Sequence, residues 1–128
     1  MTPNNITSIA DFFTADLADK GISVDLLTPD KQPSGAWIKV KGMDSDDFRR
    51  ASVERTRKGQ KILKLEGVDR LDAQRQADAE LIAAVTLEWS FTEPCTKENV
   101  VQLYLQAPDV FEQVNSAIAD RGLLFKKR

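Results

Sequence analysis

Two short segments near the amino terminus alternate apolar and other residues with a period of two, and a turn signal separates them. The apolar members are Ile22, Val24 and Leu26 before the turn and Ala36, Ile38 and Val40 after it. This period is typical of a strand with one buried face. The intervening Thr28–Gly35, "TPDKQPSG", contains two prolines and a glycine, which favour turns. The pattern therefore predicts a small β-hairpin over residues 22–41.

Helical signals dominate the rest of the chain. Asp69–Val85 is the strongest, because it is rich in Ala, Leu, Gln, Glu and Arg, all good helix formers. Spacings of four, four and three place mostly small residues on one face, where another helix could approach closely: Ala73, Ala77, Leu81 and Ala84. An earlier helix is predicted from a cap at Thr7 or Ser8 to a stop at Gly21. Its apolar side comprises Ile9, Phe12, Phe13 and Leu17.

The segment "MDSDDFRRASVERTRKGQK" predicts a further helix. Asp44 or Ser45 is a suitable cap, acidic residues follow in the first turn, and basic residues collect towards Gly59, an order that suits the helix dipole. Phe48 and Val53 are its only bulky apolar residues, so most of its surface should be exposed. The following "ILKLEG" fits either a short strand or the entry to the next helix.

The end of the chain predicts a pair of helices over residues 96–121. Thr96 is a suitable cap for a helix over Lys97–Leu105, and Pro108 suits the first turn of a final helix that stops at Gly122. An apolar stripe follows that final helix: Val110, Val114, Ala117 and Ile118.

These elements predict a mainly α (α+β) fold, a single domain over residues 1–128 with a small hairpin near its amino terminus. A length of 128 residues suits one domain, and 41% hydrophobic with 30% charged residues is typical of globular proteins. No apolar run approaches the roughly 20 residues that cross a bilayer, and the start lacks a secretory signal pattern. One cysteine cannot form an internal disulfide, which agrees with a reducing cytoplasm.

Catalytic and metal-binding patterns are weak in this chain. It contains no histidine, the commonest general base near neutral pH. Cys95 lacks a base to activate it, so we interpret it as a small residue before a helix cap. Asp44–Asp47, "DSDD", begins like a calcium loop, but Arg49 and Arg55 stand where that loop needs Gly and Glu. We therefore expect no enzyme activity, no metal and no cofactor.

Positive charge is concentrated in the middle of the chain. Residues 48–75 hold nine bases and four acids, whereas the segments on both sides are acidic. The basic segment 49–64 supports an alternative function, a small nucleic-acid-binding or regulatory protein. Glu54 interrupts this run, and no aromatic residues interleave to stack on bases. A charged docking face or plain solvated surface is favoured over nucleic acid.

The helix predicted at Lys97–Leu105 is apolar on nearly all sides. A short helix of this kind is either buried in a local core or covered by a partner, and the pattern leaves both interpretations open. The apolar residues are Val100, Val101, Leu103, Tyr104 and Leu105.

The last 40 or so residues contain a characteristic order of parts. A tryptophan in a short turn precedes Glu-Pro in "EWSFTEP", a capped helix with an asparagine follows in "TKENVVQLYL", and then come a proline and a helix with aliphatic spacing in "APDVFEQVNSAI". This order resembles the phage tail assembly chaperones of long-tailed phages. The matching residues are Trp89, Thr96, Asn99, Leu103, Pro108, Val110, Val114 and Ile118. Pro94-Cys95 departs from the resemblance, since relatives often carry a glycine in this turn.

The resemblance implies a non-enzymatic late protein of the host cytoplasm that is absent from the mature virion. It implies binding to the tape measure protein until the tail tube polymerises around it, and a longer form, made by ribosomal frameshifting, that contacts the tail tube protein. Self-association would add many weak contacts along a long client, so a homo-oligomer is predicted. The candidate protein-binding residues are Trp89, Val100, Leu103, Tyr104, Val110, Phe111 and Val114.

Overall fold

The computed structural model describes residues 8–126, with the side chain of Lys126 left out. A short 3₁₀ helix, Ile9–Phe12, precedes the regular elements. In chain order these are α1 (Ala15–Lys20), β1 (Ile22–Leu27), β2 (Pro33–Val40), α2 (Asp46–Ile62), α3 (Gly67–Ala84), β3 (Thr86–Trp89), α4 (Lys97–Gln106), α5 (Pro108–Ala119) and α6 (Gly122–Lys126). The predicted mainly α fold with a small amino-terminal sheet is confirmed.

The predicted hairpin is confirmed, and it gains a third strand. β1 and β2 pair antiparallel with Ile22 opposite Val40. The sequence analysis placed Trp89 in a short turn, which is wrong: β3 pairs antiparallel with β2, and Trp89 lies opposite Ile38. A four-residue strand directly after a helix carries too little periodicity to be recognised. Its backbone hydrogen bonds come from a strand more than 40 positions earlier.

The predicted first helix is broken in two. Ser8 and Asp11 form a capping box for the 3₁₀ helix, whereas the alternative cap Thr7 lies outside the described residues. The backbone at Phe13 is extended, and α1 begins only at Ala15. Gly21 does end α1, with a φ of 101° that favours glycine. The expected apolar side is mostly in solvent, because Ile9, Phe12 and Phe13 are exposed.

α2 and α3 form a helical hairpin. The Ser45 hydroxyl caps α2 by accepting from the Phe48 N–H at 3.2 Å, and α2 runs past Gly59 to Ile62. "ILKLEG" forms no strand, since it ends α2 and makes the turn into α3. Arg55 and Lys58 of α2 bridge to Asp78 and Glu80 of α3 at 2.7 and 3.0 Å.

α3 is buried on two sides, because it packs against both α2 and α4. The sequence pattern predicted one face of this helix for contact with another helix, whereas two faces are in contact. Of its four members only Ala77 is fully buried, and Ala84 is exposed. The other buried residues of α3 are Ala79, Ile82 and Ala83.

The core lies between the sheet and helices α3, α4 and α5. Its largest fully buried side chains are Ile22, Ile38, Val40, Ile82, Val85, Val100 and Val114. The predicted cap at Thr96 and the predicted place of Pro108 in the first turn of the last long helix are confirmed. The predicted stop at Gly122 is wrong: α5 ends at Ala119, and Gly122 opens α6, which buries Leu124.

A bidentate ion pair ties the carboxyl-terminal end to the start of α2. Arg121 Nε and Nη2 donate to the two Asp44 oxygens at 2.7 and 2.8 Å, and the Thr14 hydroxyl also donates to Asp44. These contacts, with Arg121 the larger, lower the pKa of Asp44 from 3.8 to about 2. The carboxylate therefore stabilises the fold at neutral pH.

We expect this contribution to disappear in acid. A carboxyl group with a lowered pKa stabilises the fold above its unfolded value of 3.8 and loses that effect as pH falls towards about 2. Solvent screens the half-exposed Arg121. We therefore expect the ion pair to contribute about 1 kcal/mol to the free energy of unfolding. Urea unfolding of the wild type and Asp44→Asn from pH 7 to 2 measures it. If the difference between their free energies of unfolding stays constant below pH 4, the stabilising role of the Asp44 carboxylate is contradicted.

Candidate partner-binding groove

A surface groove lies between the end of β3 and one side of α4. We call it the Trp89 groove. It has a volume of about 290 Å³ and is lined by Trp89, Phe91, Glu93, Asn99, Gln102, Leu103 and Gln106. Two of the candidate residues from the sequence, Trp89 and Leu103, thus meet in one place.

Strand pairing and ring contacts fix the aromatic wall of the groove. Trp89 is the last residue of β3, and its backbone is held in register opposite Ile38. The Phe91 ring packs edge-on against the Trp89 ring, with centroids 5.2 Å apart and an interplanar angle of 85°. Phe91 was missed by the sequence analysis. Its spacing of two from Trp89 in an extended segment was the signal that could have found it.

The loop that joins β3 to α4 is held by side chains from both of its ends. The Trp89 indole N–H donates to the Glu93 carbonyl at 2.8 Å. The Asn99 side chain donates to the Pro94 carbonyl at 2.9 Å, while the Thr96 hydroxyl accepts from the Asn99 N–H at 3.3 Å. The order Trp, Glu-Pro, capping Thr and Asn therefore encodes one braced loop. Such bracing fixes the shape of the groove before a partner arrives.

α4 presents a different surface on each side. Val100 and Tyr104 point into the core and are each 2% exposed. Leu103 is half-buried and faces the groove, with Gln102 and Gln106 exposed beside it. The groove thus combines an apolar floor with an amide rim, and Glu93 is its one ionisable lining residue. This surface suits an apolar helical segment better than a charged ligand.

The remaining candidate residues lie in or beside the core. Val114 is fully buried, like Val100 and Tyr104. Val110 and Phe111 are half-buried, and Phe111 packs edge-on against Tyr104 with centroids 5.8 Å apart. A local core therefore accounts for most of the apolar residues of α4. Partner binding stays a prediction, and we concentrate it on Trp89 and Leu103 because these two candidates line the groove.

The pKa values of two polar side chains support a structural role for this region. Burial, and secondarily the charge of Glu88, raises the pKa of the Cys95 thiol, which disfavours the reactive thiolate. Burial also raises the pKa of Tyr104 to about 12, and its hydroxyl lies 2.8 Å from the Thr86 hydroxyl. Within residues 8–126 no cluster of His, Cys, Asp or Glu could hold a metal ion.

The basic segment 49–64 is largely neutralised. Five of its seven bases form ion pairs: Arg49–Asp46, Arg50–Asp47, Arg57–Glu54, Arg55–Asp78 and Lys58–Glu80. Lys61 and Lys64 are the two that pair with no carboxylate of the described residues. Phosphates would have to displace these carboxylates, so the structure gives the nucleic-acid alternative no support.

The family comparison agrees with the resemblance seen in the sequence. A family model described as phage tail assembly chaperone matches residues 12–121. The chain belongs to this family. The matched range includes the sheet, the α2–α3 hairpin and the whole Trp89 groove, so the groove is part of the tail assembly chaperone domain itself. Neither the curated proteins nor the solved structures contain a match to this chain. In the described part of this chaperone no helix is long and apolar enough to span a bilayer.

Proposed function

We propose that this tail assembly chaperone binds the tape measure protein through the Trp89 groove and promotes polymerisation of the tail tube around it. The observation that carries the proposal is the braced Trp89 groove, found in a protein that belongs to this family. The apolar part of its lining, Trp89, Phe91 and Leu103, lies at the protein surface. A long helical client exposes apolar side chains until the tube encloses it. Docking of such side chains into an apolar groove follows a recurring mode of helix recognition.

The size of the groove favours weak contacts that are repeated. A volume of about 290 Å³ accommodates one or two large side chains, so one copy would hold the client loosely. Several copies along one client would bind it strongly through avidity. Weak individual contacts would also let the tube protein displace the chaperone. Our proposal therefore includes self-association of the chaperone and its absence from the mature virion.

The proposed activity involves no bond making or breaking. The neutral Cys95 thiol and the absence of histidine support this view. We further propose that the protein acts late in infection in the host cytoplasm. A longer, frameshifted form would add the contact to the tail tube protein.

Coexpression with the tape measure protein of the same phage tests the proposal. We expect an affinity tag on the client to recover the chaperone in several copies per client, and the client to stay in the soluble fraction. A tagged soluble protein of similar size, unrelated to the tail, serves as the control. The proposal fails if the client aggregates equally with and without the chaperone and none is recovered with it.

A further inference from the structure

Two clusters contain the four most exposed large hydrophobic side chains of the described residues. The N-terminal cluster consists of Ile9, Phe12 and Phe13, which are 78%, 68% and 60% exposed. The hairpin tip, where α2 turns into α3, consists of Leu63, Leu65, Val68 and Leu71, which are 67%, 39%, 69% and 59% exposed. Clustered exposure of this kind marks an interaction surface more often than scattered single residues do.

The hairpin tip is a fixed surface. The Arg70 guanidinium donates to the Leu63 and Leu65 carbonyls, each at 2.8 Å. The Leu65 N–H also donates to the Ile62 carbonyl at 2.9 Å. These bonds satisfy the backbone of the turn and hold its leucines outward. The tip is therefore a convex apolar knob.

The N-terminal cluster lies beside a concave surface. A cleft of about 570 Å³, which we call the N-terminal cleft, has a mixed lining: the apolar residues are Phe12, Phe13, Ala15 and Met43, and the polar ones include Thr14, Asp16, Asp44 and Arg121. Arg49, in the first turn of α2, lines it as well. The cleft is thus large enough to receive several side chains of an apolar knob.

The cleft and the tip lie at opposite ends of α2. The cleft borders the first turn of this 17-residue helix, and the tip follows its last residue, Ile62. At 1.5 Å per residue the helix is about 25 Å long. The two apolar surfaces therefore cannot cover each other within one chain. They can meet only between copies, and each copy then offers one surface at each end.

The unpaired charges of the cleft are opposite in sign to those on the α2 side of the tip. In the cleft, Arg49 is paired with Asp46 and Arg121 with Asp44, whereas Asp16 pairs with no base of the described residues. At the tip, Lys61 at the end of α2 and Lys64 in the turn after it are exposed, and neither pairs with a carboxylate of the described residues. Glu66 and Asp69 lie on the α3 side of the tip. A docked tip would therefore turn its basic side, with Lys61 and Lys64, towards Asp16.

We propose that the hairpin tip of one copy docks into the N-terminal cleft of the next copy. The contact is heterologous, so it propagates head to tail into a chain or a closed ring. It deepens the proposed self-association by assigning its surfaces. It does not use the Trp89 groove, so every copy in the assembly keeps its groove free for client.

A complementation experiment tests this arrangement directly. The cleft variant carries Phe12→Asp and Phe13→Asp, and the tip variant carries Leu63→Asp and Val68→Asp. By size-exclusion chromatography with light scattering, the wild type should form species that grow with concentration, while each variant alone stays a monomer. The mixture should form a one-to-one dimer and grow no further, because only one working cleft and one working tip remain.

Controls separate this interface from misfolding and from client binding. Val53→Asp introduces one such aspartate at a similarly exposed site on α2 (60%) and should assemble like the wild type. Circular dichroism should show unchanged helix content in all variants. Leu103→Asp in the Trp89 groove should still assemble. A monomeric wild type, assembly by either variant alone, or a mixture that stays monomeric would each overturn the proposal.

Discussion

Replacing Leu103 by aspartate is expected to abolish recovery of the chaperone with the tape measure protein. Leu103 forms the floor of the Trp89 groove, between Asn99 and Gln106. A carboxylate placed there would have to be desolvated against the apolar client without a partner, which costs about 2–3 kcal/mol or more. That cost corresponds to roughly 30- to 150-fold weaker binding at each groove. Binding through several copies would amplify the loss further.

Two further variants make this result interpretable. Because Leu103 also touches the core, Gln102→Trp serves as a second probe: it fills the groove from an exposed position and removes no core contact. Val53→Asp, at an exposed site on α2 that does not line the groove, is the charge control. Affinity recovery from coexpressing cells compares all four proteins. If Leu103→Asp and Gln102→Trp both retain wild-type recovery, the client binds elsewhere.

Replacing Tyr104 by alanine is expected to destabilise the fold by about 3–5 kcal/mol, as for other large-to-small changes of buried aromatic residues. The side chain is 2% exposed, packs edge-on against Phe111, and hydrogen-bonds to Thr86. This loss is a large fraction of the roughly 5–15 kcal/mol that stabilises a typical domain. Tyr104→Ala should therefore reduce client recovery through unfolding.

Tyr104→Phe isolates the hydroxyl group. It keeps the ring packing, and the Thr86 hydroxyl still donates to the Ile82 carbonyl at 2.8 Å. We expect a loss of only about 1 kcal/mol and normal client recovery. Urea unfolding monitored by circular dichroism measures both variants. Equal stability of Tyr104→Ala and the wild type would show that α4 packs differently from the structure described here.

Local signals in the sequence were sufficient for much of the fold. The alternation on both sides of Thr28–Gly35 predicted the hairpin, and Ser45, Thr96 and Pro108 predicted three helix starts. Each of these signals acts within a few residues along the chain. A capping hydroxyl satisfies an amide three positions later, and a proline at the first turn has no amide to satisfy.

The candidate site could be predicted only in part, for a reason visible in α4. Its apolar residues cover nearly the whole circumference, so periodicity cannot tell which of them face the core. The helices packed against α4, α3 and α5, decide this by burying Val100 and Tyr104, and they leave Leu103 at the surface. Trp89 became a wall of the groove only because β3 pairs with β2.

The sequence by itself determined where most helices begin, that a hairpin precedes them, and to which family the chain bears a likeness. Only the tertiary structure decided the third strand, the break at Phe13, the pairing of Arg55 and Lys58 with carboxylates of α3, and the separation of core from groove on α4. The physical reason is range. Caps, turns and periodicity act between near neighbours, whereas strand pairing, ion pairs between helices and burial depend on residues that only the folded chain brings together.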